Sequence, residues 1–329
     1  MALSLLATPR MRIGYHASHE QFSPRELLDL VRAAEEARFE VAMCSEHIMP
    51  WSERQGHSGY SLSWLGAAMQ ATALPFGMVV APGYRHHPAV LAQAAATLEQ
   101  MFPGRFWIAL GSGEALNEHI TGEPWPMKEA RNERLLECAT VMRRLWDGET
   151  VTHHGHVRVV EAKLYSLPER PPRMFGAALT ERTAEWMGSW ADGLITVASA
   201  QAKKVVDAFR SGGGEGKPVA AQMKLSWAAT DEEALASAMD QWNTNVFPSS
   251  IAADLAMPSQ FEALAKSVTT DQIREAVRVS GDLERHVEWI REARELGVSE
   301  LYLHNVGRNQ KEFIEAFGRE VLPGVRGEG

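Results

Sequence analysis

Apolar positions along the chain follow two alternating periods. Short runs with a period of two are separated by longer stretches with a period near 3.6, the pattern of strands alternating with amphipathic helices. Arg12 to His16 reads as the first strand. The helix after it opens at Ser23-Pro24-Arg25-Glu26, which supplies an N-cap hydroxyl, proline at the first helical position and glutamate two residues later, a capping box. Strand Glu40–Cys44 precedes helix Ser61–Thr72, strand Phe76–Val80 precedes the Ala-rich helix Pro88–Met101, and Phe106–Leu110 is the fourth strand. It runs into Gly111-Ser112-Gly113-Glu114 and a long helix from about Met127 to Trp146, whose Leu135, Ala139, Met142 and Trp146 recur at helical spacing.

Thr150 to Val160 alternates around His154-Gly155 and reads as an inserted hairpin. Strands five to eight are Met174–Ala177, Leu194–Val197, Ala220–Ala228 and Glu300–His304, and the last helix runs from about Gln310 to Val321. The stretch from about Thr244 to Asp282 is too long for a simple connection, so an insertion is expected between strands seven and eight.

Strands alternating with helices from end to end predict parallel βα units, either a (β/α)8 TIM barrel or a doubly wound sheet. Periodicity does not separate the two. The phosphate loops do, because a doubly wound nucleotide-binding sheet would carry one. Gly111-Ser112-Gly113 follows a strand, but Leu116 stands where the third glycine of a dinucleotide fingerprint belongs. Gly212 to Lys217 is too short for a nucleotide loop, and Pro218 replaces its hydroxyl residue. The expectation is therefore a barrel, and with no low-complexity linker or internal repeat, residues 1–329 read as one domain.

Composition adds exclusions. With 45% hydrophobic and 23% charged residues the chain has the make-up of a globular protein with a large core. A net charge of −9 gives no general attraction to nucleic acid or an anionic membrane. Two cysteines, Cys44 and Cys138, preclude a disulfide framework and point to a reducing cytosol. Met1 to Pro9 is mildly apolar without the features of a secretory signal and reads as a leader to the first strand, and no window is apolar enough for a membrane span.

In a barrel the reactive groups come from loops after the strands. Those positions hold His16, His19 and Glu20 after strand one, Glu46, His47 and Trp51 after strand two, Tyr84 to His87 after strand three, and Glu114, Asn117 and Glu118 after strand four. Carboxylates, imidazoles and an indole at one mouth supply proton donors, acceptors and a surface for a conjugated ring. His153, His154 and His156 lie on a hairpin with no carboxylate at ligand spacing, so no metal is expected there. Trp64, Trp107, Trp186 and Trp190 fall within elements and are expected in the core.

Three runs carry a family likeness: Gly14-Tyr15-His16-Ala17-Ser18-His19-Glu20-Gln21-Phe22-Ser23-Pro24, Ser45-Glu46-His47 with Pro50-Trp51, and Gly111-Ser112-Gly113-Glu114-Ala115-Leu116-Asn117-Glu118. Together they resemble the deazaflavin (F420)-dependent glucose-6-phosphate dehydrogenase group of the bacterial-luciferase-like superfamily. The likeness continues through Leu145-Trp146, Ala191-Asp192-Gly193 and Val321-Leu322-Pro323. It implies a barrel, commonly dimeric, with coenzyme F420 or, in sister groups, FMN at its mouth. It further implies His47 as the base for the substrate hydroxyl and Glu114 as proton donor to the ring. Trp51, Glu20, Glu46 and Asn117 would line the pocket, and a strand bulge with a non-proline cis peptide would fall near Met78-Val79.

The likeness has departures. Glu46 stands where the group usually has aspartate, and the glycine pair near the coenzyme phosphate appears as Leu179-Thr180, with Ala81 in place of a threonine. The basic residues that grip the sugar phosphate align with Ala200, Ala252 and Ala276, with Lys203, Lys204 and Arg278 nearby as substitutes. A phosphate without charged donors loses about 1.5 to 3 kcal/mol per missing bond. The expectation is a hydride-transferring oxidoreductase for a small neutral hydroxyl or carbonyl compound. The alternatives are an FMN-dependent monooxygenase served by a separate flavin reductase and a flavin-binding protein without turnover.

Overall fold

The computed structural model describes residues 10–327, so the apolar stretch Met1 to Pro9 lies outside the described residues. Its strands are β1 (Arg12–Ala17), β2 (Val41–Ser45), β3 (Phe76–Val80), β4 (Phe106–Leu110), β5 (Val151–His154), β6 (Arg158–Ala162), β7 (Arg173–Ala177), β8 (Gly193–Val197), β9 (Val219–Ser226), β10 (Arg278–Val279) and β11 (Glu300–Asn305). Eight of them pair in the order β9, β11, β1, β2, β3, β4, β7, β8, and β8 returns to β9, which closes a parallel barrel. The antiparallel pair β5–β6 is the expected hairpin. β10, a two-residue strand on the end of β9, has no counterpart in the sequence reading.

Each of the eight barrel strands is followed by a helix. Ser23 accepts from the backbone N–H of Glu26 as its capping sequence predicts, and helix Pro24–Glu36 buries Leu27, Leu30, Val31 and Ala34 on one stripe. The barrel interior is packed by a separate set, Val41, Met43, Trp107, Ala109, Phe175, Ile195, Ala220 and Tyr302. Trp107 is its plug, stacked on Phe175 at 4.7 Å and 11°. A ring this large fits because β3 carries Gly77, where an added Cβ would lie 2.0 Å from the indole. Trp64 joins Trp107 among the buried residues, whereas Trp186 and Trp190 are only partly buried.

The floor of the barrel is polar and sealed. Glu300 accepts from the Trp107 indole at 3.1 Å and the Tyr302 hydroxyl at 2.5 Å and pairs with Arg12, all at the N-terminal side of the strands. Chemistry is thereby left to the opposite, C-terminal mouth.

Two local expectations fail. The described residues contain no cis peptide, and β3 has no bulge: its ladder to β4 runs without a shift from Phe76↔Phe106 to Val80↔Leu110, while β2 pairs its other side. Met78 and Val79 are held by regular pairing on both sides, which removes the irregularity the likeness implied near them. The hairpin histidines do have carboxylate partners, supplied by the facing helix Lys128–Trp146: His153 Nε2 lies 2.9 Å from Glu137 and His156 Nε2 3.0 Å from Glu133.

The predicted insertion comprises short helices Ser249–Ala252, Pro258–Ala265 and Thr270–Ala276. It folds over the mouth and is tied there, with Gln55 Nε2 donating to Gln241 O at the end of the preceding helix, Glu53 N to Glu262, and Ala115 N to Ala253 O.

Candidate active site

A half-open cleft, about 370 Å³ when the solvent at its entrance is counted, lies at the C-terminal mouth. Its front wall comes from the ends of β1 and β2: His16, Glu20, Ser45, His47 and Trp51. The back wall comes from β9, β11 and the start of the insertion: Gln222, Lys224, His304, Trp242 and Asn245. The alternation of a strand explains the polar rows, since Gln222 and Lys224 are two apart on β9 and project to the same face, as do Tyr302 and His304 on β11.

On the front wall His47 Nε2 lies 3.6 Å from Glu20 Oε1, and the His47 ring lies 5.3 Å from that of Trp51. Trp51 is braced edge-on by Phe261 of the insertion at 5.2 Å. Ser18 Oγ donates to the other Glu20 oxygen at 2.9 Å. Burial pushes the Glu20 carboxyl up, but the neighbouring His47 and His16 outweigh it and hold the group below the usual carboxylate range.

Glu114 follows β4, and its carboxyl feels the charges of His47, Lys224 and Glu20. Burial is the larger influence and raises it, so Glu114 keeps its proton more readily than a free carboxyl. Lys224, opposite, is pushed down by burial and partly restored by Glu114. Its ammonium lies 5.4 Å from the Trp242 ring centroid. The His16 and His304 rings pack at 4.3 Å with a tilt of 34°, and burial keeps His16 at about 4 and His304 well below the ordinary imidazole value.

Other residues singled out in the sequence stand behind this surface. The Glu46 carboxylate turns away from the cleft into a buried cluster, paired with Arg85 and with His86 Nε2 at 2.8 Å. Burial would raise it, yet bonds from His86 and Arg85 hold it at about 2. Arg85 also reaches Glu118, 3.3 Å from Nε. Asn117 stands behind His47, its Nδ2 3.1 Å from Nδ1 and its Oδ1 accepting from Ile48 N at 3.0 Å. Met78 is buried in the outer core and Val79 packs against the interior set, so neither side chain lines the cleft. Leu179 is exposed, and Thr180 caps helix Glu181–Gly188 by accepting from Thr183 N.

Two of the three substitutes for a sugar-phosphate grip are engaged elsewhere. Lys203 pairs with Asp207 at 2.9 Å, and Arg278 lies over the Trp289 ring. Lys224 is the cation that lines the cleft. The sequence reading missed it, together with His304, Gln222, Trp242 and Asn245. A lysine inside the apolar run Val219–Ser226, and a histidine in phase with Glu300 and Tyr302, were the available signals.

The description "luciferase-like monooxygenase" belongs to the family model that matches residues 1–300. An F420-dependent glucose-6-phosphate dehydrogenase of Nakamurella multipartita is 34% identical over 334 residues, 98% of each chain, and one from Intrasporangium calvum is 34% identical, covering 96% of this chain and 99% of its own. Among solved structures, an F420-dependent secondary alcohol dehydrogenase in complex with an F420-acetone adduct superposes with a TM-score of 0.90 at 30% identity, over 96% of this chain and 99% of that one. A monooxygenase from Streptomyces bottropensis shares the fold, with a TM-score of 0.71 at 20% identity over 95% and 99%. With the closed barrel and the whole-length matches together, the chain belongs to the luciferase-like family and falls among relatives named as F420-dependent oxidoreductases.

Proposed function

We infer that this chain is an F420-dependent oxidoreductase that moves a hydride between the deazaflavin and a small neutral alcohol or its carbonyl product. The observation that carries this is the composition of the cleft: Glu20, His47 and Trp51 on one wall and, among its described lining residues, Lys224 as the one lysine or arginine on the other, with Glu114 near enough to influence it. One buried lysine, its charge disfavoured by burial, is a poor grip for a phosphate, and positions 200, 252 and 276 are alanines. The structural likeness to a secondary alcohol dehydrogenase supports the same substrate class, against the sugar phosphate named for the curated relatives.

The residues present fit a planar conjugated ring. Indoles of Trp51 and Trp242 bound the cleft, and His16 Nδ1 is buried there without a hydrogen-bond partner. When bound, the coenzyme supplies the hydride acceptor or donor. Glu114, its proton favoured by burial, serves the ring nitrogen, where charge develops. Glu20 and His47 handle the hydroxyl hydrogen, and Trp51 with the insertion excludes water.

The test is anaerobic reduction of F420 by purified protein with 2-propanol, glucose 6-phosphate or no substrate, with FMN as a parallel coenzyme. Reduction by the alcohol is expected. Reduction by glucose 6-phosphate alone would overturn the substrate class, and binding of FMN alone would favour the monooxygenase alternative and its reductase partner.

A further inference from the structure

The reading above leaves open which of Glu20 and His47 takes the substrate's proton. The hydrogen bonds behind His47 decide it, because they fix where the imidazole carries its own proton. Ile48 N is a backbone amide and can only donate, so the Asn117 atom 3.0 Å from it is the acceptor oxygen. The other end of the Asn117 amide is then NH2, which can only donate, and it lies 3.1 Å from His47 Nδ1. Nδ1 is therefore the accepting nitrogen, and a neutral His47 carries its hydrogen on Nε2, the nitrogen that faces Glu20 and the cleft.

We propose that Asn117 locks His47 as an Nε2–H donor to the substrate oxygen, and that the alcohol's proton passes to Glu20. A neutral imidazole with hydrogen on Nε2 has no lone pair there to accept a proton, which argues against the base role that the family likeness implies for His47. Glu20 presents an acceptor oxygen where the step needs one. Ser18 occupies Oε2, leaving Oε1 toward the cleft and 3.6 Å from His47 Nε2. In oxidation the carbinol C–H bond breaks and its electron pair goes as hydride to the deazaflavin. The O–H bond breaks and its proton goes to Glu20 Oε1, while the new C=O keeps a hydrogen bond from His47 Nε2–H. In this scheme Asn117 is a positioning residue and touches neither substrate nor coenzyme.

This proposal rests on the functional reading given above, but its first test does not need turnover. Two-bond 1H–15N correlation spectra of the 15N-histidine-labelled full chain, with the His47 signals assigned by their loss in His47→Gln, report which ring nitrogen is protonated. Nε2–H is expected in the wild type. In Asn117→Asp, whose carboxylate still accepts from Ile48 N but offers Nδ1 only an acceptor, the proton is expected to move to Nδ1. Protonation of Nδ1 in the wild type, or no movement in a folded Asn117→Asp, would overturn the lock. The kinetic arm compares F420 reduction by 2-propanol: His47→Gln, which keeps an N–H donor, is expected within about tenfold of wild type, and Glu20→Gln to lose about 10² or more. The reverse ranking would return the base role to His47. A wild-type chain that oxidises no alcohol would defeat the functional reading, while the spectra would still judge the tautomer.

Discussion

His16 and His304 lie ring against ring across β1 and β11, 4.3 Å between centroids, and His304 Nδ1 is held by Gln222 at 3.1 Å. Both imidazoles are disfavoured as cations, first by burial; His304 is pushed down further by His16 and Lys224, and His16 by His19, Lys224 and His47 against an upward pull from Glu20.

Stability is expected to fall on mild acidification. His16, His19 and His286 are held at about 4 and His304 lower still, whereas in the unfolded chain they titrate near the ordinary value of about 6.5. Below about pH 6.5 the unfolded state binds protons that the folded state refuses, so the full stability is present above that pH and is lost as pH falls toward about 4. Glu114 and Glu118, whose carboxyls are raised by burial, act in the opposite sense and offset part of the loss. The net effect is on the order of a few kcal/mol. Thermal unfolding from pH 8 to 5 checks it: Tm should drop below pH 6.5, less steeply in His304→Gln, and a flat profile would refute it.

His47 and Glu114 should fail differently. His47→Ala removes a donor to the reacting oxygen and is expected to slow single-turnover coenzyme reduction by about 10² to 10³ with coenzyme affinity nearly intact. Glu114→Gln keeps hydrogen bonding but cannot deliver a proton, so reduction should slow and lose its dependence on that group's ionisation. Wild-type rates in both variants would leave these residues with packing roles alone.

The Arg85 cluster behind the mouth is expected to be a point of fragility. Arg85 answers two buried carboxylates, Glu46 and Glu118. Arg85→Met leaves both short of charge and should cost about 3 to 5 kcal/mol. Glu46→Gln, which keeps an acceptor for His86 and Arg85, should cost less. Urea denaturation of the two variants ranks them; equal stability would show that the cluster is solvated.

Inside the barrel, Gly77→Ala should destabilise by about 1 to 3 kcal/mol or more, because its Cβ would meet the Trp107 ring at 2.0 Å and the ring is hemmed in by Phe175. Pairing it with Trp107→Leu should recover part of the loss. Chemical denaturation of the single and double variants measures this coupling, and additive effects would contradict the plug.

Much of this architecture was legible in the sequence because it is local. A capping box at Ser23, period-two strands and a long amphipathic helix each announce themselves within a dozen residues, and the eight barrel strands lie close to where patterning put them. The front wall was legible for the same reason, since Glu20, His47 and Trp51 sit in runs that directly follow strands. The back wall was not. Lys224 and His304 are isolated polar residues within apolar strands, and only closure of β9 against β11 and β8 brings them to the mouth. Likewise, no spacing rule reveals that Glu46 points to Arg85 and away from the ligand, or that Asn117 reads the orientation of His47.

The cleft's two walls also divide by origin. Glu20, His47 and Glu114 come from before the long helix Lys128–Trp146, whereas Asn245 and Phe261 come from the stretch folded over the mouth, which follows Trp242 directly and is fastened there at a few points, by Ala253 O and by the carboxylates of Asp254 and Glu262. Outside those few anchor points the stretch carries none of the groups that handle protons. Substrate preference can therefore drift by replacement of residues 243–277 while the reaction chemistry stays fixed, so sequence change in that one stretch is where homologues with the same chemistry would part company in what they consume.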